Sequence, residues 1–314
     1  MIKDINDDDL RMIYRAIGIA ISESIEKGKD EPNKVAELTY RIPNYINPIK
    51  LTTKGYSLSV GGVFIHQRPY VQFGGSKVVE LGDLLLISTV IDSRGTHRKA
   101  MLLQAKMFNK LPTSPDNKDQ HDLYREWPAF QYKAKCLQSF NSGKREIRDQ
   151  DIYSSAKYLL LAKNSLSRCI PICLWHSCDA LTAQPTFELS HHTCFIEELL
   201  QFVLGDRGKE FVDKCGLSIT DIGWSRVIND LLSEIVNKIT KKMVIEDNKK
   251  GARGSGVLNF GCDLSFLSTS GNVVVDSQVN DSDEPPNDIP PWPEENDNED
   301  GAGISVLEFV LRRE

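Results

Sequence analysis

Near the start of the chain, apolar residues recur at three- and four-residue steps: Leu10, Ile13, Tyr14, Ile17, Ile21 and Ile25. That period gathers side chains on one face of an α-helix, so it predicts a helix over 7–27. The run of Asp7, Asp8 and Asp9 lies where negative charge favours a helix dipole. A second helical pattern, 33–40, is expected to stop before Pro43, because the residue ahead of a proline is driven out of the helical region. The pattern then becomes β-like. It gives two strands within 56–73 around GVFIHQRPYVQF, one over 78–90 and one over 99–107. IDSRGTH, with Gly95, reads as the turn joining the last two. Beyond Pro115 the expected helices are 119–127, 152–160, 194–204 and 224–243. The last carries Val227, Ile228, Leu231, Leu232, Ile235, Val236 and Ile239 on one face. The apolar run 169–175 reads as a short buried strand, and ISVLEFVL, 304–311, as a final one.

Composition changes this picture in three places. An apolar fraction of 40% and a charged fraction of 26% over 314 residues are those of a globular chain with a substantial core. No apolar run approaches the ~18 residues that span a bilayer, and MIKDINDDDL has no signal-like apolar region. The expectation is a cytoplasmic protein with no membrane partner. Seven cysteines at scattered positions suit reduced thiols better than a disulfide framework. The spacings of Cys169, Cys173, His176 and Cys178, and of His191, His192 and Cys194, fit no common zinc knuckle.

The formal charge of −6 is unevenly spread. Residues 281–300 hold nine acids and no Lys or Arg, and the rest of the chain is +3 without them. A mildly basic body with an acidic, Pro-rich loop is compatible with a nucleic-acid partner. Residues 244–256 read as a basic, glycine-rich loop lacking the residue order of a phosphate-cradling P-loop, and 276–301 as a mobile segment.

The candidate chemistry lies in ELGDLLLISTVIDSRGTHRKAMLLQAK, residues 80–106. With the hairpin turn centred between Arg94 and Gly95, Asp83 falls opposite Lys106 and Gln104 opposite Leu85. The period of two then puts Asp83, Leu85, Gln104 and Lys106 on one face. The strands around them are apolar on both faces, so an acid, an amide and an amine there need a partner or a purpose. One purpose is structural: an Asp83–Lys106 ion pair closing the hairpin. The other is chemical, with the carboxylate holding a divalent cation and the amine stabilising developing phosphate charge.

These residues resemble the PD-(D/E)XK, or restriction-endonuclease-like, nuclease superfamily. Its core runs helix, three-stranded meander, helix, strand, with an Asp early in the second strand and Glu-X-Lys in the third. Asp83 matches the acid and Gln104-Ala105-Lys106 the tripeptide, in a Gln-X-Lys variant. The resemblance covers about residues 7–135. It implies a mixed-sheet core flanked by helices, here followed by a helical C-terminal extension with mobile loops over about 136–314, all in one α/β domain. It also implies Mg²⁺ or Mn²⁺ held by Asp83, Gln104 and the Ala105 carbonyl, with Lys106 positioning the attacking water. Glu37 is the best-placed carboxylate of the preceding helix, and Glu80 the next. His66, Gln67 and Arg68 would line the same cleft, as would Gln120 and Tyr124, which share a helix face. The implied activity is metal-dependent hydrolysis of DNA phosphodiesters in restriction or anti-phage defence, with a possible protein partner in such a system. The alternative expectation, suggested by Gln in place of Glu, is a non-catalytic module that keeps the fold and binds a protein or nucleic-acid partner.

Overall fold

The computed structural model describes residues 5–65, 69–111, 113–133, 143–148, 152, 155–164, 179–186, 188–189, 192–213, 216–218, 221–248, 257–260, 265 and 303–313. His66, Gln67 and Arg68 lie outside the described residues, as do the 169–175 run, the 276–301 segment and every cysteine but Cys194. Cys194 is not in a disulfide.

Helix α1 (Asp7–Lys27) carries the predicted stripe, with Ile13, Ile17, Ile21 and Ile25 all buried. Its N-terminus is anchored by Asp9. One carboxylate oxygen of Asp9 accepts from the amide (2.9 Å) and hydroxyl (2.9 Å) of Thr52, and the other from those of Thr53 (2.7 and 2.5 Å).

Helix α2 (Glu31–Ile46) is longer than the pattern predicts. Asp30 caps it by accepting from the Asn33 amide, with Pro32 in the first turn where a missing N–H costs nothing. Pro43, expected to lie beyond its end, is inside it. A proline there leaves the carbonyl four residues back, that of Thr39, without its helical donor. Strand β1 (Tyr56–Ile65) crosses at that point, and Gly62 lies against that carbonyl; a Cβ at 62 would fall 2.2 Å from the oxygen. Helix packing on a glycine of the sheet thus accommodates the proline that local propensity reads as a stop.

The remaining elements are β2 (Tyr70–Phe73), β3 (Lys77–Glu80), β4 (Leu84–Asp92), β5 (Gly95–Phe108), α3 (Lys118–Glu126), β6 (Gln131–Tyr132), β7 (Ala156–Ala162), β8 (Ala180–Ala183), β9 (Thr193–Cys194), α4 (Phe195–Val203), β10 (Lys209–Glu210), α5 (Trp224–Asn248), β11 (Val257–Phe260) and β12 (Ser305–Arg313). Among the described residues they form a mixed sheet in the order β11-β1-β12-β4-β5-β7-β8-β9, with β10 also pairing with β5, and a three-stranded sheet β3-β2-β6. This is an α/β architecture with an open mixed sheet.

Three expectations are corrected here. Residues 156–162 form a strand rather than part of a helix: every position of β7 is buried, and an apolar run this short suits a strand covered on both faces. The part beyond residue 135 is not simply a helical extension, since it supplies β7 to β12, all to the main sheet. Finally, β12 lies between β1 and β4, antiparallel to the first and parallel to the second, where a contiguous meander would pair β1 with β4 directly.

Residue parity assigns the two faces of the sheet. Gly62, which touches α2, is in register with Leu307 of β12, which pairs with Leu86 of β4. Phe202 of α4 packs edge-on against Phe309, on that same face. Helix α1 reaches it through α4, with Ile196 beside Gly18. The opposite face, that of Leu85 and Leu102, receives Tyr124 of α3 across Gly82.

Candidate functional site

Strands β4 and β5 pair with Leu84 opposite Leu103 and Asp92 opposite Gly95, so Ser93 and Arg94 form the loop. The expected register is therefore displaced by two residues: extrapolated to the end of the hairpin, Asp83 faces Gln104 rather than Lys106. A two-residue displacement preserves parity, and Asp83, Leu85, Gln104 and Lys106 still share one face.

The expected single strand over 78–90 is broken at 81–83. The Leu81 amide bonds to the Pro69 carbonyl (2.8 Å), holding that residue at the small sheet, while the Asp83 amide bonds to the Leu103 carbonyl (2.9 Å), starting the large one. Asp83 thus occupies the crossing between two sheets. Gly82 makes the crossing possible, since a Cβ there would lie 2.8 Å from Leu102 Cδ1 and 3.1 Å from Tyr124 Oη.

At this crossing one carboxylate oxygen of Asp83 accepts from the Ala105 amide (2.7 Å) and from Gln104 Nε2. Gln104 is buried, and its Oε1 makes no hydrogen bond among the described residues. An amide oxygen left without any donor in a buried setting is costly, on the order of 1–3 kcal/mol, so a water, an ion or a ligand has to meet it. Tyr158 of β7 is in register with Gln104, and its buried hydroxyl also lacks a partner among the described residues.

Lys106 Nζ lies 3.4 Å from Glu31 Oε1, and Glu31 Oε2 accepts from the Met107 amide at 3.1 Å. Lys106 and Glu31 keep 17% and 27% side-chain exposure, so this end of the group opens to solvent. Burial pushes the Glu31 carboxyl above the usual range, and the charge of Asp83 adds to the rise. Lys106 and the Met107 amide oppose it.

The acid beside Lys106 is thus Glu31. Glu37, the carboxylate expected from this helix, accepts from Arg41 Nε (2.7 Å), and Arg41 also bonds Glu23 (2.6 Å). The sequence does contain a signal for Glu31: Asp30-Glu31-Pro32 is an N-cap and first turn. A helix start at 33 places Glu31 in a linker instead.

Gln120 and Tyr124, expected to line the cleft, are both buried. Gln120 Nε2 donates to the Glu80 carbonyl (3.3 Å) and Tyr124 Oη to the Leu81 carbonyl (2.8 Å). They hold the two residues that lead into Gly82 and Asp83. The Tyr124 hydroxyl is pushed well above its usual range, first by burial and then by Tyr158, Asp83 and Glu80 around it, so it stays a donor. His121 lies against Tyr158 and contacts the Thr186 carbonyl through Nε2 at 3.0 Å.

Among the described residues no three His, Cys, Asp or Glu side chains converge as a metal-ligand group. What the cluster offers is oxygen: the Asp83 carboxylate, which Gln104 contacts through Nε2, the Gln104 Oε1 and, on the Lys106 side, the Glu31 carboxylate. Hard oxygen donors of mixed charge fit Mg²⁺ or Mn²⁺ and do not fit a soft metal. No helix among the described residues is long and apolar enough to cross a membrane. Comparison of the chain with protein families, with curated proteins and with solved structures gives no match.

Proposed function

We propose that this protein is a Mg²⁺- or Mn²⁺-dependent nuclease that hydrolyses phosphodiester bonds in DNA, with its centre at Asp83, Gln104, Lys106 and Glu31. The observation that carries the reading is the buried side chain of Gln104: its Nε2 is held on the Asp83 carboxylate, on the face shared with Lys106, while its Oε1 has no partner among the described residues. Asp83, Gln104 Oε1 and the Ala105 carbonyl would hold the cation. When bound, a divalent ion there neutralises phosphate charge and lowers the pKa of a coordinated water. Lys106 supplies a cation for the charge that develops on the phosphoryl oxygens as water adds and the ester oxygen leaves. Glu31 holds that amine in place and, with its raised pKa, can accept a proton from the attacking water. The order β4–β5 hairpin, α3, then β7 parallel to β5 also follows the hairpin, helix and strand of the nuclease superfamily that the motif resembles. A place in restriction or anti-phage defence is part of this reading and rests on that resemblance.

The test is cleavage of supercoiled plasmid DNA with Mg²⁺ or Mn²⁺ and with chelator, for wild type, Asp83→Ala and Lys106→Ala, with melting temperatures taken on the same samples. Metal-dependent cutting lost in both folded variants supports the reading. Cutting that persists in both, or none in the wild type, overturns it. A second reading has its own observation: Lys106 is already paired with Glu31, and Asp83 already accepts two hydrogen bonds. A closed network of this kind suits a non-catalytic module that binds a protein or nucleic acid, and that module would show no cutting and no cation-induced stabilisation.

A further inference from the structure

The β4–β5 hairpin has a second functional-looking end. Asp83 stands just before Leu84, and the loop lies past Asp92. The strand β4 between Asp83 and the loop is nine residues long, a span of about 30 Å. At the loop end is a cavity of about 600 Å³, within the usual range for small-molecule sites. Its walls come from the starts of β1 and β5, the ends of β4 and β12, and the turn after α4. Val90 and Leu311 line it, with Tyr56, and four basic side chains face the same space: Arg94, His97, Lys99 and Arg313.

The state of those four side chains is what marks the cavity out. The Arg94 guanidinium and the His97 ring make no side-chain hydrogen bond or ion pair among the described residues, and both are exposed. Arg313 lies over the Tyr56 ring, its guanidinium carbon 5.5 Å from the ring centroid. Lys99 spends one donor on the Gly205 carbonyl (2.8 Å) and has two more. Two acids also line the cavity. Asp92 is turned into the loop, accepting from the Arg94 amide (2.8 Å), and Glu210 is exposed and in register with Lys99 on β10. The cavity therefore keeps a surplus of positive charge, and Arg94, His97 and Lys99 keep donors to spare.

We infer that this cavity binds a phosphate-bearing small molecule of nucleotide size, with Arg94, His97 and Arg313 on the phosphate oxygens. Guanidinium forks match phosphate geometry, and the volume exceeds what inorganic phosphate needs. The inference is independent of the proposed nuclease centre, which lies too far along the strand to share the ligand.

The experiment is calorimetric titration of the full chain with ATP, pyrophosphate and adenosine. Wild type, Arg94→Ala/His97→Ala and Asp83→Ala are compared, with melting temperatures on each. Arg94 and His97 are exposed hairpin residues, so the double variant keeps its fold. Binding of ATP and pyrophosphate but not adenosine is expected. The double variant should weaken it by roughly tenfold or more, the usual cost of losing charged hydrogen bonds, and Asp83→Ala should leave it unchanged. Should the double variant bind as tightly as the wild type, or should the wild type bind neither phosphate compound, the inference is overturned. Equal binding of adenosine overturns it too, because phosphate would then not be what is recognised. Pyrophosphate binding alone, without gain from the nucleoside, would overturn the nucleotide-sized ligand and leave an anion site.

Discussion

The substitution Gln104→Glu separates the contact with Asp83 from the question of what the contact is for. In the structure Gln104 Nε2 donates to the Asp83 carboxylate, and the position is buried. A glutamate in its place would have no donor for that oxygen while ionised and would set a second carboxylate against it. The loss of a hydrogen bond to a charged group costs about 1.5–3 kcal/mol. Like-charge contact at a buried site adds to this, for a total of about 2–5 kcal/mol at neutral pH. For a chain of this size each kcal/mol lowers Tm by roughly 2–4 °C, so a fall of about 4–20 °C is expected in chelator. Acidification should recover it, because protonating one carboxyl of the pair restores a donor. A divalent ion should also recover it, by RT ln(1 + [L]/Kd), since two carboxylates attract the ion more than a carboxylate and an amide do. The assay is chemical denaturation of wild type and Gln104→Glu at about pH 5 and about pH 7.5, either side of the window in which a coupled carboxyl pair takes up a proton, with chelator and with millimolar Mg²⁺ or Mn²⁺. Equal stability of the two at the higher pH in chelator would mean that residues 83 and 104 do not touch. A loss that no cation repairs would leave the contact intact and refute the metal site.

Two other outcomes are expected. Tyr124→Phe keeps the ring and removes one buried donor from the Leu81 carbonyl, so stability should fall by about 1–3 kcal/mol; if cutting is found it should fall as well, whereas an unchanged denaturation midpoint would contradict the pinning of the Asp83 crossing. Glu31 has a folded pKa raised above its ordinary 4.5 by burial, so between the two values the folded state holds more proton than the unfolded state and stability falls as pH rises; subtracting the pH profile of Glu31→Gln from that of wild type should isolate this slope, and a difference profile that rises with pH would refute it.

The sequence determined those features whose cause is local. The isoleucine stripe of α1 and the apolar runs of β4 and β5 follow from side chains within one element. The common face of Asp83, Gln104 and Lys106 followed from strand periodicity alone and survived a register displaced by two, because only an odd displacement changes faces. Tertiary structure decided what depends on partners far along the chain. Pro43 lies inside a helix because Gly62 of another element leaves room for the Thr39 carbonyl. The run 156–162 is a strand because β5 and β8 flank it. The last strand enters the sheet between β1 and β4, a position that no period in residues 304–311 encodes. Glu31 meets Lys106, and Tyr124 meets the Leu81 carbonyl, only once helices dock on opposite faces of one sheet. Period and capping are properties of neighbouring residues, whereas the choice among partners is settled by the burial of whole elements against each other.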